Sequence, residues 1–494
     1  MDRQQDQLPG ALTVAHAHPA PQPSDQASLH VAVPHVIVVG GGWSGLAAAL
    51  ELTTLGAAVT LLERARALGG RARALTEEDS DASGRFRLDN GQHILLGAYR
   101  TCLDLMRQVG ISPETALLRL PLQIRYADGF ALAAIPGGRP WHLFAGLWQA
   151  SGIPLGERLR LVRKLAVTAM GGWHCHHDLT VAQWLAREST LAVERIWQPL
   201  CVSALNTPIE EASAQVFVNV LRDALLSGPG SSDMLVPRVD FGTLFAEPAA
   251  RWLDRHHSHV LTAKPVRELI PDASGWTAVT SAGAYRGDGV VLATSPRAAN
   301  RLLHEIPLSD PDSLGVRDAL CSQLAALAYA PITTVYLPDP GIRLPHPMLA
   351  LRCNPSAGAF GQFLFDRGQL SGPAAAAGDG YWAVVISVAD DAAQLPRADL
   401  AAAVCRQVAQ ELGDMMPAGE LATRLQADKA LVITEKQATF RSRPRVCRPG
   451  TATGIPGLVL AGDYIAGPYP ATLEGAVQSG LQAARTLWAQ LAGR

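Results

Sequence analysis

The chain has 494 residues, 48% of them hydrophobic and 17% charged, with 42 basic against 44 acidic side chains. That length is too great for one simple core and predicts two interleaved domains, while a formal charge of −2 excludes nucleic acid as a partner, since phosphate binding needs a basic face. Seven cysteines without CxxC or framework spacing predict a reducing, cytoplasmic setting without structural disulfides, and no run of 18 uncharged apolar residues is present to span a membrane.

Residues 1–34 carry Pro, Gln, Asp and His without an apolar core or a signal-peptide layout, and read as a disordered tail. The first folded unit follows. Residues 36–39 form a buried-strand pattern, the chain turns through Gly40-x-Gly42-x-x-Gly45 into an alanine- and leucine-rich helix, and Gly56 ends that helix. A second strand, 58–62, finishes on Glu63, 18 residues past Gly45. Each part suits a dinucleotide. Gly40 allows the tight turn, Gly42 lets backbone approach a pyrophosphate, Gly45 brings helix and strand together, and Glu63 accepts from a ribose. Gly69-Gly70-Arg71 comes next, then Asp89-Asn90-Gly91-Gln92-His93. An arginine that reaches the pyrophosphate, with glycines passing beside a ribityl chain, points to a flavin rather than a nicotinamide cofactor.

From 101 to 235 the pattern turns helical and reads as a substrate cap. Within it, Trp141, Phe144, Leu147 and Trp148 recur at helical spacing, followed by Arg158, Arg160, Arg163 and Lys164. Two readings stay open here, an interfacial segment on the inner face of a membrane or a cap helix packing inward. His174-Cys175-His176-His177-Asp178 is expected to be a polar loop and no metal site, because adjacent residues are not expected to converge on one ion. Residues 236–300 return to the cofactor domain through a strand-like segment, 259–270, and a core strand, 290–294. Residues 301–430 mix strands (TTVYL, YWAVVISV) with a helix over 399–412 and a low-complexity loop over 371–380. Residues 431–494 rebuild the cofactor domain: a buried strand ends at Gly462-Asp463, and a helix starts near Thr472-Leu473. The expected fold class is α/β, a Rossmann-like FAD-binding domain (blocks 35–100, 236–300 and 431–494) interleaved with a mixed α+β substrate-binding domain.

This two-ended arrangement resembles the amine oxidase and phytoene desaturase superfamily of FAD enzymes. Within it, DNGQHILLGAY (89–99), WQPLCVSALNTPIEEAS (197–213), EKQATFRSRP (435–444) and AGDYIAGPYPATLEGAVQSG (461–480) are similar to the squalene-associated hydroxysqualene dehydroxylases of hopanoid biosynthesis. Tyr464 departs from that pattern, which has tryptophan there, and 256–259 (HHSH) replaces a glycine-rich turn. The resemblance implies FAD contacts from Gly40, Gly42, Trp43, Ser44 and Gly45, from Glu63 and Arg64, from Gly70, Arg71 and Gly91, from the Val266 backbone to adenine, and from Gly462, Asp463, Thr472 and Leu473.

It further implies a reaction, replacement of the hydroxyl of hydroxysqualene by hydrogen, with electrons from an unidentified donor. An acid must protonate the leaving hydroxyl, and His93 is the candidate, its alternative being a histidine bonded to backbone at a turn. The allylic cation needs an aromatic-lined pocket, for which Tyr464 and Tyr469 are candidates, with plain packing as their alternative. Two other functions remain possible on this fold, a desaturase or amine oxidase running oxidatively and a non-catalytic lipid carrier.

Overall fold

The computed structural model describes residues 33–75, 87–134, 146–370, 380–415 and 417–493. The expected tail but for Val33 and Pro34, the loop 371–380 but for its last residue, Trp141 and Phe144 lie outside them. At the centre is a five-stranded, wholly parallel sheet in the order Leu458–Leu460, Gly289–Leu292, His35–Val39, Ala58–Leu62, His259–Leu261. Its inner strands are almost wholly aliphatic, with Thr60 as a buried exception bonded to His35 Nε2 at 2.9 Å, because helices cover one face and the strands Val266–Asp272 and Gly275–Thr280 with helix Pro296–His304 pack on the other. Helices Trp43–Thr54 and Leu473–Ala492 cover one face side by side. They approach most closely at Gly480, where a side chain would lie 2.2 Å from the Ser44 carbonyl oxygen. The first and last helices of the described chain are therefore one packing unit.

The expected single strand over 259–270 is two strands in two sheets. His259–Leu261 pairs with Ala58–Leu62, and Val266–Asp272 opens an antiparallel sheet with Gly275–Thr280 and Gly283–Gly287. Pro265 offers no N–H to a ladder, and Ala263 adopts φ +55°, held by its N–H to the Ala65 carbonyl at 2.9 Å.

A second five-stranded sheet is antiparallel, ordered Met348–Ala350, Phe363–Asp366, Tyr381–Ser387, Tyr329–Pro338, Leu431–Phe440. Alternation along it is clean. Val335, Leu337, Trp382, Val384 and Ile386 face helix Arg397–Glu411, while Tyr336, Ala383 and Phe365 face Leu75, Leu88, Met234 and Val236. The cap holds helices Leu155–Met170, Gln198–Leu205 and Ala214–Leu226, together with short strands such as Leu117–Leu120 and Met234–Pro237. No described helix is long and apolar enough to cross a membrane.

Candidate active site

Parallel pairing places the carboxyl ends of all five strands along one edge, where ligands of such sheets bind. Gly40 stands at that edge with φ +111°, and a side chain there would lie 2.4 Å from the Ala293 carbonyl oxygen. On Gly45 it would lie 1.9 Å from the Gly40 oxygen. Neither approach tolerates a Cβ, so strand and helix close on each other only through glycine. Gly42 faces Gly70: a Cβ on Gly70 would come within 3.2 Å of the Gly42 Cα, and the Gly69 N–H donates to the Gly41 carbonyl at 2.8 Å. The Gly-Gly-Arg turn thus lies against the first turn.

The first helical hydrogen bond runs from the Leu46 N–H to the Gly42 carbonyl at 2.9 Å, which leaves the amides of Trp43, Ser44 and Gly45 outside the ladder. Ser44 Oγ is buried without a hydrogen-bond partner. Open amides, a positive helix end and an orphaned hydroxyl form a donor set that suits a pyrophosphate, so the residues present fit the flavin dinucleotide. The Trp43 ring points elsewhere, its Nε1 donating to the Ala72 carbonyl at 3.3 Å and its face packed on Phe245 at 4.4 Å. Only its backbone is placed for the cofactor. Glu63 is fixed by the Gly41 N–H at 2.6 Å and the Ala65 N–H at 2.7 Å, one on each carboxylate oxygen. Arg64 is exposed beside it, and the Lys264 N–H donates to the Glu63 carbonyl, bringing the buried Val266 alongside.

The two ends of the chain meet at Arg71. Its guanidinium donates to the Asp463 carboxylate and, at 2.8 Å, to the Ala438 carbonyl. Burial opposes the Arg71 charge, but Asp463 outweighs it and holds the pKa above the ordinary arginine value. Gly462 precedes Asp463 at φ +156°, its N–H donating to Ser479 Oγ at 2.9 Å. Thr472 caps the last helix, accepting from the Gly475 N–H at 3.0 Å, and Leu473 begins that helix.

Sequence reasoning missed Asn206, a left-handed residue (φ +44°) that ends helix Gln198–Leu205. Its Nδ2 donates to Thr439 Oγ1 at 2.9 Å and its Oδ1 accepts the Val388 N–H at 2.6 Å. The Ser213 N–H donates to the Ser442 carbonyl at 2.7 Å. Segments 197–213 and 435–444 are thereby joined to each other and, through Ala438, to Arg71. Asn206 at the end of an apolar helix was the available signal.

Asp89 was also missed, although its motif was in view. It is buried with one oxygen accepting the Phe241 N–H at 2.8 Å, and burial pushes its pKa up to about 7. The catalytic candidates need revision. Tyr464 is fully buried among Phe440, Leu460 and Ile465, and a ring without accessible surface lines no pocket that admits a ligand. The packing alternative holds for it, and its ring lies across Gly462. Tyr469 is half-buried and faces Asp223 and Arg222 of the cap. His93 Nδ1 bonds the Gly91 carbonyl at 2.8 Å, its ring lies 4.8 Å from Phe241, and burial pushes its pKa down to about 4. A neutral imidazole whose Nδ1 proton is held by a carbonyl is poorly provided as an acid, and the geometry places His93 as a turn residue. Of the stretch 174–178, which is a loop, His176, His177 and Asp178 place their ligand atoms within 4.8 Å of one another, without His174 or Cys175. Both Asp178 oxygens, however, accept from Arg445.

The flavin-containing amine oxidoreductase profile matches residues 43–487. The chain belongs to that family. It is an FAD-dependent oxidoreductase. Among curated relatives, the hydroxysqualene dehydroxylase of Sinorhizobium fredii is 27% identical over 91% of this chain and 97% of its own. That of Rhodopseudomonas palustris is 28% identical over the same shares. The solved cyclohexylamine oxidase of Brevibacterium oxydans superposes with a TM-score of 0.66 over 93% of this chain and 100% of its own, at 18% identity, which speaks to the fold alone.

Proposed function

We propose that this flavoenzyme replaces the hydroxyl of hydroxysqualene with hydrogen, giving squalene and water. The observation that supports this reading is the extent of the similarity to the two dehydroxylases, which leaves almost none of either relative unmatched. When bound, reduced flavin supplies a hydride for the carbinol carbon. The balance is one C–O bond broken, one C–H bond formed, and one proton taken up by the departing hydroxyl as it leaves as water.

The chain's own residues hold the site. Gly42, Gly70 and the open amides of residues 43–45 bind the dinucleotide, Glu63 orients its ribose end, and the Arg71–Asp463 pair fixes the approach of the two chain ends. Between the antiparallel sheet and strand Met234–Pro237 the packing is hydrocarbon, with Ile94, Leu118, Leu120 and Ile433 half-buried at its margin. A margin of that kind suits contact with a long isoprenoid. The proton for the leaving hydroxyl is not ascribed to His93, for the reasons of geometry given above.

Anaerobic incubation of the reduced protein with hydroxysqualene tests the reading. Squalene should form, with deuterium from labelled reduced flavin at the former carbinol carbon. New double bonds made by the oxidised protein, with the hydroxyl retained under reducing conditions, would establish a desaturase instead. A purified chain that takes up no flavin would point to a carrier.

A further inference from the structure

Five of the eleven large apolar side chains exposed among the described residues fall between 148 and 170: Trp148 (70% exposed), Leu155 (56%), Leu159 (59%), Val167 (53%) and Met170 (80%). Single exposed apolar residues need no explanation, whereas a concentration on one element marks a contact. Helix Leu155–Met170 produces it. At 3.6 residues per turn, Leu155, Leu159, Arg163 and Met170 fall within about a quarter of the circumference, with Val167 and Arg160 at the edge of that sector. Leu161 and Thr168, on the other side, are buried.

Trp148 belongs to the same surface. Arg158 donates through Nε to the Ile153 carbonyl at 2.8 Å and through Nη1 to the Trp148 carbonyl, fastening that segment to the first turn. Of the four cations expected near headgroups, Arg158 is therefore spent on backbone. So is Lys164, whose Nζ donates to the Trp184 carbonyl and lies 4.1 Å from the centroid of that ring. Leu147 is buried. Arg163 remains exposed on the apolar side, Arg160 is exposed at its edge and paired with Glu157, and the exposed Arg187 is near enough to bear on Lys164. The helix has one carboxylate, Glu157, and it is engaged by Arg160 at 3.2 Å and by Ser189 Oγ at 2.6 Å.

We propose that Trp148 and the exposed side of helix Leu155–Met170 dock on an anionic lipid bilayer, with the helix lying in the interface. An apolar stripe carrying cations and no free carboxylate matches acyl chains beneath anionic headgroups. A second copy of the chain fits less well, because paired faces of this kind would set Arg160 and Arg163 against their own duplicates. The proposal does not rest on the substrate assignment, and its test contains no substrate.

The flavin-loaded protein should co-sediment with vesicles of phosphatidylcholine containing about 30% phosphatidylglycerol, and less with phosphatidylcholine alone. Leu159→Glu with Met170→Glu should weaken that binding at least about tenfold, and Arg160→Glu with Arg163→Glu should erase the preference for anionic vesicles. These side chains are exposed, so flavin content and melting temperature should hold; if the glutamate pair fails that check, Leu159→Ser with Met170→Ser replaces it. Absence of sedimentation by the native protein, unchanged binding by folded variants, or a native dimer that the variants split into monomers would overturn the proposal.

Discussion

The parallel and antiparallel sheets solve opposite problems. The parallel sheet gathers five strands from distant parts of the chain, and its closure depends on positions where even one methyl group is too much, such as Gly40 and Gly45. The antiparallel sheet runs mostly through neighbouring segments, and its stability comes from alternating aliphatics that many residues could supply. Steric uniqueness therefore lies in the parallel sheet and tolerance in the antiparallel one. A matched pair of substitutions would break the comparison most directly. Gly45→Ala should give protein without flavin, since its Cβ would meet the Gly40 oxygen at 1.9 Å. Leu364→Ala, from the fully buried antiparallel core, should cost about 2–5 kcal/mol of stability yet leave flavin bound. Flavin absorbance per protein reads both; flavin retained by Gly45→Ala would end the distinction.

A second test probes the seam between the sheets, where the Asp89 carbonyl accepts from the Tyr336 hydroxyl at 3.1 Å. Burial raises the Asp89 pKa from 3.8 to about 7, so the native state binds that proton more tightly than the unfolded chain does. Its stabilisation is complete below about pH 4 and is lost as pH rises through about 7. Asp89→Asn cannot lose a proton, so it should gain stability relative to wild type at about pH 8 but not at about pH 4, with a ceiling on the order of 4 kcal/mol. Denaturant titrations at the two pH values decide it; an equal difference at both would remove Asp89 from the pH response.

Arg71→Ala sharpens the comparison at the join. It leaves the buried Asp463 without its partner and frees the Ala438 carbonyl. Flavin binding should weaken by on the order of 1.5–3 kcal/mol, seen as flavin lost on dilution. Flavin affinity equal to wild type would show that the joined chain ends do not serve the cofactor.

That contrast also explains what could be read in the chain. The strand–turn–helix–strand over 35–63 was legible because its geometry admits only glycine at Gly40 and Gly45 and ends on a carboxylate at a set spacing. The C-terminal half was legible for the same reason, as Gly462-Asp463 followed by a Thr472 cap. What escaped was set by tertiary contact. No local pattern says that 259–270 changes sheets at Ala263, that Tyr464 turns under Gly462 into the core, or that Asn206 fastens 197–213 to 435–444. Residues with one steric solution announce themselves, while a tyrosine has many places to go. The exposed stripe of Leu155–Met170 was half legible: the cations were visible, but which of them turn inward was not.

The smallest expected effect concerns His93, which sits where the cofactor turn meets Phe241. With Nδ1 held by the Gly91 carbonyl and its pKa pushed down by burial to about 4, the ring is neutral through the pH range in which an acid would have to be charged. The depressed value also sets the sign of its linkage: its contribution is present above the ordinary histidine value and fades as pH falls through about 4. His93→Ala should therefore cost on the order of 1–3 kcal/mol of stability for the lost ring contacts with the Gly91 and Arg71 backbone, measurable as a lowered melting temperature. Turnover of hydroxysqualene should stay within about tenfold of wild type, and its pH profile between about pH 5 and 8 should keep its shape. A loss of about 10²- to 10⁴-fold in turnover with flavin fully retained would show instead that the imidazole gives up a proton to the leaving hydroxyl. In that event the turn would carry chemistry as well as the cofactor, and the substrate side of the molecule would be less tolerant than its sheet suggests.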